Sequence, residues 1–257
     1  MFGLDPFHFW LAIGITLFSG FVKGAIGFAM PMIMMSALSS FLTAQQALAA
    51  LILPVLFTNI RQSLRQGIRP ALRTMWVYRW HVGMVALFIP ISAFFAARVP
   101  QWIMYALLGL PITLFAIWQL AGRSMAIPIH HRRRVEIVTG IIGGLYGGIS
   151  GIWGPPLIVY LLSIGAAKDE QMRAQGVVFF MGSVVLTASH LGSGLLNGQT
   201  LPFSALMVIP AAIGMALGSL AHDRLNIAQF RRWTLMLLVL TGVNLVRRAL
   251  ELHGLAV

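Results

Sequence analysis

Charged residues are scarce in this chain of 257 residues: they make up 9% of it, and only 6 of them are Asp or Glu. A soluble domain carries about 25% charged residues, so this chain has too few charges to cover a soluble globule. Cysteine is absent, which excludes disulfides, thiolate metal ligands and cysteine nucleophiles. The chain does contain 58% hydrophobic residues, at a mean hydropathy of +0.86. An integral membrane protein is the class that fits this composition.

Signals of enzymes and of nucleic-acid-binding proteins are also missing. The chain has no nucleotide-binding P-loop, and His130 and His131 lack carboxylates at the spacing of metal ligands. We therefore expect no cofactor, no metal site and no enzymatic activity. The net charge of +12 lies mainly in short connections between apolar runs, as in the cytoplasmic loops of membrane proteins. We expect the lipid bilayer, and no nucleic acid, as a partner.

A stretch containing glycine and proline occurs twice. Gly20-Phe-Val-Lys-Gly24-Ala-Ile-Gly27-Phe-Ala-Met-Pro31 recurs as Gly144-Leu-Tyr-Gly-Gly148-Ile-Ser-Gly151-Ile-Trp-Gly-Pro155, with an offset of 124 (144 − 20) at all four shared positions. Each copy interrupts a long apolar segment. Glycine and proline both disfavour a helix interior, so each copy predicts a helix that stops and restarts. The alternative is that the glycines only allow close helix packing.

The remaining apolar runs predict an all-α polytopic membrane bundle with about 8–10 membrane segments, each of about 20 residues where it is a full span. We expect one transmembrane transport domain over residues 1–257, built from two repeats at approximately 1–125 and 126–257. A helix over about 45–60 precedes a polar loop at 61–73, which contains four arginines. Later helices are predicted over about 74–97, 101–122, 172–193, 203–221 and 229–250.

The loop charges favour repeats that are inverted in the membrane. The arginine-rich loop at 61–73 corresponds to an uncharged turn at 194–202, and the nearly neutral link at 42–44 corresponds to a charged link at 168–170. Charge thus changes sides between equivalent loops, as expected for inverted halves. Two crossings for each broken segment place both chain ends outside, and one crossing gives parallel halves. Arg247 and Arg248 count against inversion, because they would lie outside.

The second copy reads Gly143-Gly-Leu-Tyr-Gly-Gly148-Ile-Ser-Gly151-Ile-Trp-Gly154-Pro155-Pro156, and Arg173-Ala-Gln-Gly176 follows it. With these motifs, nearly the whole chain resembles the sulfite exporter TauE/SafE family of membrane permeases. The first copy departs from the pattern, with Lys23 opposite Gly147. The resemblance implies a multi-pass protein of the bacterial inner membrane. It also implies export, or less often uptake, of sulfite, sulfonates or related small anions.

A transported anion needs a polar and partly positive site within the membrane. Free N–H groups at a helix N-terminus provide this without a full charge. We expect the second helix of each broken segment to begin near residues 24–27 and 148–151, and the anion to be held between the two broken helices during alternating access. The substrate-binding candidates are Lys23, Gly24, Gly27, Pro31, Asn59, Gly148, Ser150, Gly151, Trp153, Pro155, Arg173 and Gln175.

Several of these candidates have a plain structural alternative, which for Asn59 and Gln175 is hydrogen bonding between helices. Lys23 lies inside a membrane segment, where an ionisable residue indicates function, but its side chain can also extend to the interface. Arg173 can attract an anion or form a solvated pair with Asp169 or Glu170. Trp153 can contact a substrate or simply pack.

A second class of function rests on the tetrapeptide Gly148-Ile-Ser150-Gly151, which matches the serine motif of rhomboid intramembrane proteases. His190, on a later helix, would then be the base, since a nucleophilic serine needs a base within hydrogen-bond reach. The repeat argues against this reading, because Ile26 stands opposite Ser150 and the glycines recur without the serine.

Overall fold

The computed structural model describes residues 4–254, apart from the side chains of Lys168 and Asp223. Within this range the chain forms eleven α-helices, one short 3-10 helix at His222–Arg224 and no strand, which confirms the predicted all-α class. The α-helices are α1 (Pro6–Ile26), α2 (Met30–Leu38), α3 (Ala44–Ser63), α4 (Ile68–Val77), α5 (Arg79–Ala96), α6 (Gln101–Leu120), α7 (Arg132–Ser150), α8 (Gly154–Ser163), α9 (Lys168–Gly192), α10 (Thr200–Ala221) and α11 (Ile227–His253).

Five helices of the described range are long and apolar enough to cross a membrane, namely α1, α5, α6, α9 and α10. Helices α3 and α4 qualify only together, as a pair bent by 104°. A polytopic helical membrane protein is therefore confirmed. The predicted 8–10 segments are more numerous because they include α7 and α11, which carry charged residues, and the short helices α2 and α8.

The polar loop predicted at 61–73 is instead mostly helical. Helix α3 continues to Ser63, and α4 begins at Ile68 after a short turn. The side chains of Ile68, Leu72 and Trp76 are exposed and recur every four residues, so they form one apolar stripe along α4. Such a stripe beside arginines is typical of a helix that lies in the membrane interface. This helix was not predicted from the sequence, because its arginines interrupt the apolar runs on which the prediction was based.

The helices group into two compact units that do not follow the halves of the sequence. Unit 1 comprises Met1–Pro54, Arg98–Arg123 and Leu195–Val257, and unit 2 comprises Val55–Ala97 and Ser124–Gly194. Unit 1 contains the first glycine–proline stretch and packs α1 against α10. Unit 2 contains the second stretch and packs α7 against α5. Each broken segment thus packs on a helix from the other half of the chain.

In unit 1 the contact between α1 and α10 depends on glycine. A Cβ atom at Gly24 would lie 2.8 Å from the backbone nitrogen of Ser219 and closer still to the carbonyl oxygen of Met215. A Cβ atom at Gly218 on α10 would lie similarly close to the carbonyl group of Phe21. Close packing of small residues therefore accounts for Gly24.

In unit 2 the same relation recurs between α7 and α5. A Cβ atom at Gly148 would collide with Ser92 Oγ and would lie 2.9 Å from the backbone nitrogen of Ala93. One at Gly144 would lie 2.7 Å from the Cβ of Phe88. Glycines at equivalent positions of the two sequence copies thus serve equivalent helix contacts.

The position of Arg248 has a local cause. Its guanidinium donates to the carbonyl oxygen of Ser39, the C-cap residue of α2. A cation at a helix C-terminus is stabilised by the helix dipole. The guanidinium also lies 4.7 Å from the centre of the Tyr105 ring. Arg248 therefore fits its place in unit 1 whichever side of the membrane it faces.

Candidate functional site

Both predicted breaks are present, and each falls at the predicted glycine. Helix α1 ends at Ile26, and Gly27 follows in the left-handed region with φ 86°. Helix α7 ends at Ser150, and Gly151 follows with φ 70°. Both glycine N–H groups donate to the carbonyl four residues earlier, at 2.8 and 2.7 Å. The offset of 124 (151 − 27) therefore relates two equivalent helix ends.

The second helices begin later than predicted. Helix α2 starts at Met30 and α8 at Gly154, whereas the sequence placed these starts near residues 24–27 and 148–151. Gly24 and Gly148 therefore belong to the preceding helices. Pro31 and Pro155 lie in the first positions of α2 and α8, where the missing N–H and the fixed φ of proline suit a helix start.

The first break contains a backbone outlier at Ala29. Its φ is 75°, and it is the one non-glycine residue with positive φ among the described residues. The left-handed conformation costs a residue with a side chain roughly 1–2 kcal/mol. Strain of this kind concentrates at functional sites. Trp153, at the equivalent position of the second break, has an unstrained φ of −120°.

Lys23 is buried one turn before the first break. It lies in the last turn of α1, and only 2% of it is exposed. A lysine that extends to the interface keeps its ammonium group in water, so this alternative does not describe Lys23. Lys23 therefore holds its amino group inside unit 1, at the end of the helix that leads into the break.

Trp153 occupies a niche formed by glycines in unit 2. A Cβ atom at Gly147 would lie 2.9 Å from Cε3 of the indole, and one at Gly182 would lie 2.8 Å from Cε2. The Phe179 ring meets the indole edge-on at 6.3 Å between ring centroids. The indole is 2% exposed, and its Nε1–H has no acceptor. An unmet buried donor costs about 1–3 kcal/mol.

Two backbone N–H groups join the indole donor at the start of α8. Within the described residues, the N–H groups of Trp153 and Gly154 donate to no acceptor, and no side chain caps this helix. Pro155 and Pro156 have no N–H to offer. A helix N-terminus with open donors attracts an anion, because the donors and the helix dipole act in the same direction.

Gln175 and Asn59 lie near this niche. Gln175, Phe179 and Gly182 lie four and then three residues apart on α9, so they share the helix face that meets Trp153. Gln175 is 9% exposed, and its amide makes no hydrogen bond in the described part of the chain. Asn59 Nδ2 donates to the carbonyl oxygen of Phe179 at 3.0 Å. Asn59 thus forms a hydrogen bond between α3 and α9, and Gln175 lies on the face of α9 that packs against Trp153.

Arg173 is engaged elsewhere in unit 2. Its Nε donates to Thr74 Oγ1 at 2.8 Å, and its Nη1 donates to Gln66 Oε1 at 3.3 Å. Among the described side chains, no ion pair joins it to Asp169 or Glu170. The expected solvated pair is therefore not what holds Arg173, which links α9 to α4.

The structure does not pair Ser150 with His190. Ser150 Oγ donates to the Tyr146 carbonyl at 2.6 Å and accepts from the Ile152 N–H at 3.1 Å. His190 Nε2 lies 2.9 Å from the Gly148 carbonyl, and Nδ1 lies 3.3 Å from Ser193 Oγ. The serine thus caps the end of α7 and the histidine binds the backbone, so a serine–histidine pair finds no support.

A buried polar cluster in unit 2 was not predicted from the sequence. Its centre is Glu136 on α7, which is 4% exposed and accepts hydrogen bonds from the His81 N–H at 3.2 Å and from the Tyr160 hydroxyl at 3.1 Å. The signal was present in the sequence as one acidic residue at the start of an apolar segment.

Comparison with known proteins gives one result. The family model described as Sulfite exporter TauE/SafE matches residues 12–245. No curated protein and no solved structure matches the chain.

Proposed function

Because the chain belongs to the sulfite exporter TauE/SafE family, we propose that it is a permease for sulfite, sulfonates or related small anions that binds its substrate at the helix breaks and works by alternating access. Family membership implies a membrane transporter of sulfite-type anions, and the long apolar helices make the protein multi-pass. We place it in the bacterial inner membrane, with export as its direction and repeats that are inverted.

The second break carries this proposal. Three N–H groups in one short stretch lack a protein acceptor among the described residues: the indole Nε1–H and the backbone N–H of Trp153, and the backbone N–H of Gly154. A sulfite-type anion presents several oxygen acceptors on one small group, so it can accept hydrogen bonds from donors of this kind. Charged acceptors form stronger hydrogen bonds than neutral ones.

The first break contributes a different kind of support. Lys23 brings a buried amino group to the end of α1, and the equivalent position in the second copy is Gly147. An ionisable residue within a membrane segment is by default a functional candidate. We assign Lys23 a role in binding an anion at the first break. Gly27 keeps the backbone of the first break open to close approach.

The direction of transport follows from the sign of the substrate. The inside-negative membrane potential drives an anion outward by about 2.3 kcal/mol per charge per 100 mV. Export of a small anion is therefore favourable without hydrolysis of a nucleotide.

Trp153→Phe tests the assignment of the second break, because it removes the indole N–H and keeps an aromatic ring in the niche. We expect the half-saturating sulfite concentration to rise roughly 10- to 100-fold. This factor corresponds to the free energy of one hydrogen bond to a charged group. The measurement is uptake of labelled anion into liposomes that contain the purified protein, with sulfite, sulfoacetate, taurine and thiosulfate as alternative substrates.

The control for this variant is Trp118→Phe on α6, because Trp118 is 45% exposed and lies away from the breaks along the chain. It should transport like the wild-type protein. An unchanged half-saturating concentration in Trp153→Phe would show that the indole does not contribute to anion binding. Absence of flux for all four anions in the wild-type protein would contradict the proposed function itself.

Gly182→Ala tests the niche from its other side. The added Cβ would lie 2.8 Å from the indole Cε2 and 3.0 Å from Nε1, so the indole has to shift. Overpacking of this kind costs about 1–3 kcal/mol. We expect lower thermal stability together with weaker sulfite affinity.

Gly192→Ala is the matched control on the same helix, because a Cβ there meets nothing within 4 Å. It should be neutral or slightly stabilising, since alanine favours a helix over glycine by up to about 1 kcal/mol. Equal sulfite affinity in the two variants would mean that the position of the indole does not matter to the substrate.

A further inference from the structure

Glu136 is a buried carboxylate without a direct counter-ion. It is 4% exposed, and among the described side chains no basic nitrogen forms an ion pair with it. Its two donors are both neutral: the backbone N–H of His81 and the hydroxyl of Tyr160. Burying a charge away from an opposite charge is costly, so this carboxyl group points to a role beyond packing.

The groups that face Glu136 come from every helix packed against α7. His81 comes from α5 and Tyr160 from α8, and the two rings stack at 6.1 Å between centroids. Arg132, on α7 itself, donates to the Tyr160 hydroxyl at 3.3 Å, so its charge reaches Glu136 through the tyrosine. From α9, Glu170 accepts from the Tyr78 hydroxyl at 2.5 Å.

His81 brings a buried hydrogen-bond acceptor without a partner into the cluster. Thr139 donates its hydroxyl proton to the Val135 carbonyl at 2.8 Å, so its oxygen accepts from His81 Nδ1–H at 3.2 Å. The other ring nitrogen, Nε2, is then an unprotonated acceptor. It is buried and has no hydrogen-bond partner, and His81 as a whole is 0% exposed. A lone pair left open in this way needs an explanation.

Helix α8 joins this cluster to the second break. Its first residue, Gly154, lies at the open donors, and Tyr160 on the same helix donates to Glu136. At a rise of about 1.5 Å per residue, the two ends are roughly 10 Å apart. The hydrogen bond from Tyr160 on α8 to Glu136 on α7 therefore ties the two helices together.

We propose that Glu136 binds and releases a proton in each transport cycle, and that α8 links this proton to the anion at the second break. The substrate of this site is H⁺, taken from and returned to water, and no bond other than the O–H bond of the carboxyl group is made or broken. The inference rests on the proposed function, since it needs a transported anion to couple to.

The test uses liposomes containing the full-length protein at a fixed membrane potential. Exchange of labelled for unlabelled sulfite at equal pH on both sides reports on the anion site alone. Net sulfite flux and proton flux, measured with a pH-sensitive dye, give the number of protons moved per sulfite. Sulfite and hydrogensulfite interconvert near neutral pH, so each variant is compared with the wild-type protein at the same pH and the same total concentration.

In Glu136→Gln, which mimics the protonated acid, we expect sulfite exchange within about twofold of wild type and a ratio that falls by about one proton per sulfite, because one carboxylate binds one proton. Glu251→Gln is the control, since Glu251 is exposed on α11 and pairs with Arg247. It should keep the wild-type ratio. An unchanged ratio in Glu136→Gln overturns the proposal.

Tyr160→Phe covers the case in which Glu136→Gln fails to fold. Losing a donor to the carboxylate favours its protonated form, so the pH of half-maximal net flux should move upward by about 0.5–1. An unmoved pH profile makes the cluster a structural support and overturns the proposal. Absence of sulfite exchange in the wild-type protein instead means that the proposed function is wrong.

Discussion

Gly24→Ala should strongly lower the stability of the purified protein, and Gly24→Leu should prevent recovery of folded protein. The added Cβ would lie 2.8 Å from the backbone nitrogen of Ser219 and closer still to the Met215 carbonyl oxygen. Backbone atoms of a helix cannot rotate away, so α1 and α10 would have to separate. We expect a loss of about 3 kcal/mol or more, at the upper end of overpacking effects. Thermal unfolding in detergent and size-exclusion chromatography measure it.

Gly14 provides the control on the same helix. It lies on the exposed side of α1, and a Cβ there meets nothing within 4 Å. Gly14→Leu should therefore fold like the wild-type protein. Gly148→Ala should repeat the damage of Gly24→Ala in unit 2, where the added Cβ meets Ser92 Oγ. Equal stability of Gly24→Leu and Gly14→Leu would contradict the packing of α1 on α10.

Gly27→Leu should lower sulfite flux at least about tenfold in a protein that still folds. A Cβ at Gly27 meets nothing within 4 Å, so the fold accommodates the side chain. The φ of 86° is strained for any residue with a side chain, at a cost of about 1–2 kcal/mol. Relief of this strain reshapes the break, and the leucine blocks the approach of an anion to the backbone. Labelled sulfite uptake into liposomes is the measurement.

Gly122→Leu is the control that introduces the same kind of backbone strain outside the helix breaks. Gly122 has a φ of 66°, and a Cβ there also meets nothing within 4 Å, but it lies in the connection after α6. It should cost similar stability and leave the flux near wild type. Wild-type flux in folded Gly27→Leu would show that the first break does not line the substrate pathway.

The sequence predicted both helix breaks because they depend on local backbone chemistry. Gly27 and Gly151 sit at left-handed helix ends, and Pro31 and Pro155 sit at helix starts. These preferences are properties of single residues and leave a pattern in the sequence. The same pattern could not separate an end-capping glycine from a packing one. Gly24 was therefore placed in the break, although it contacts α10.

The remaining features depend on contacts between distant parts of the chain. The niche of Trp153 needs Gly182 on α9, and the cluster around Glu136 needs His81, which is 55 residues away in sequence. No periodicity in one segment indicates such pairs. The interleaved units have the same origin, since α1 finds its partner in α10 and α7 in α5. Helix α4 was missed for a different reason: its arginines lowered the hydropathy of an amphipathic helix.

The most direct measurement of anion binding at the breaks is the indole N–H resonance of Trp153 in the purified, ¹⁵N-labelled protein, assigned by its absence in Trp153→Phe. On addition of sulfite we predict a saturable downfield shift of this resonance, because its Nε1–H has no acceptor among the described residues and a bound anion supplies one. The resonance of the exposed Trp118 should stay in place. Sulfite binding detected by calorimetry with no movement of the Trp153 resonance would contradict the account.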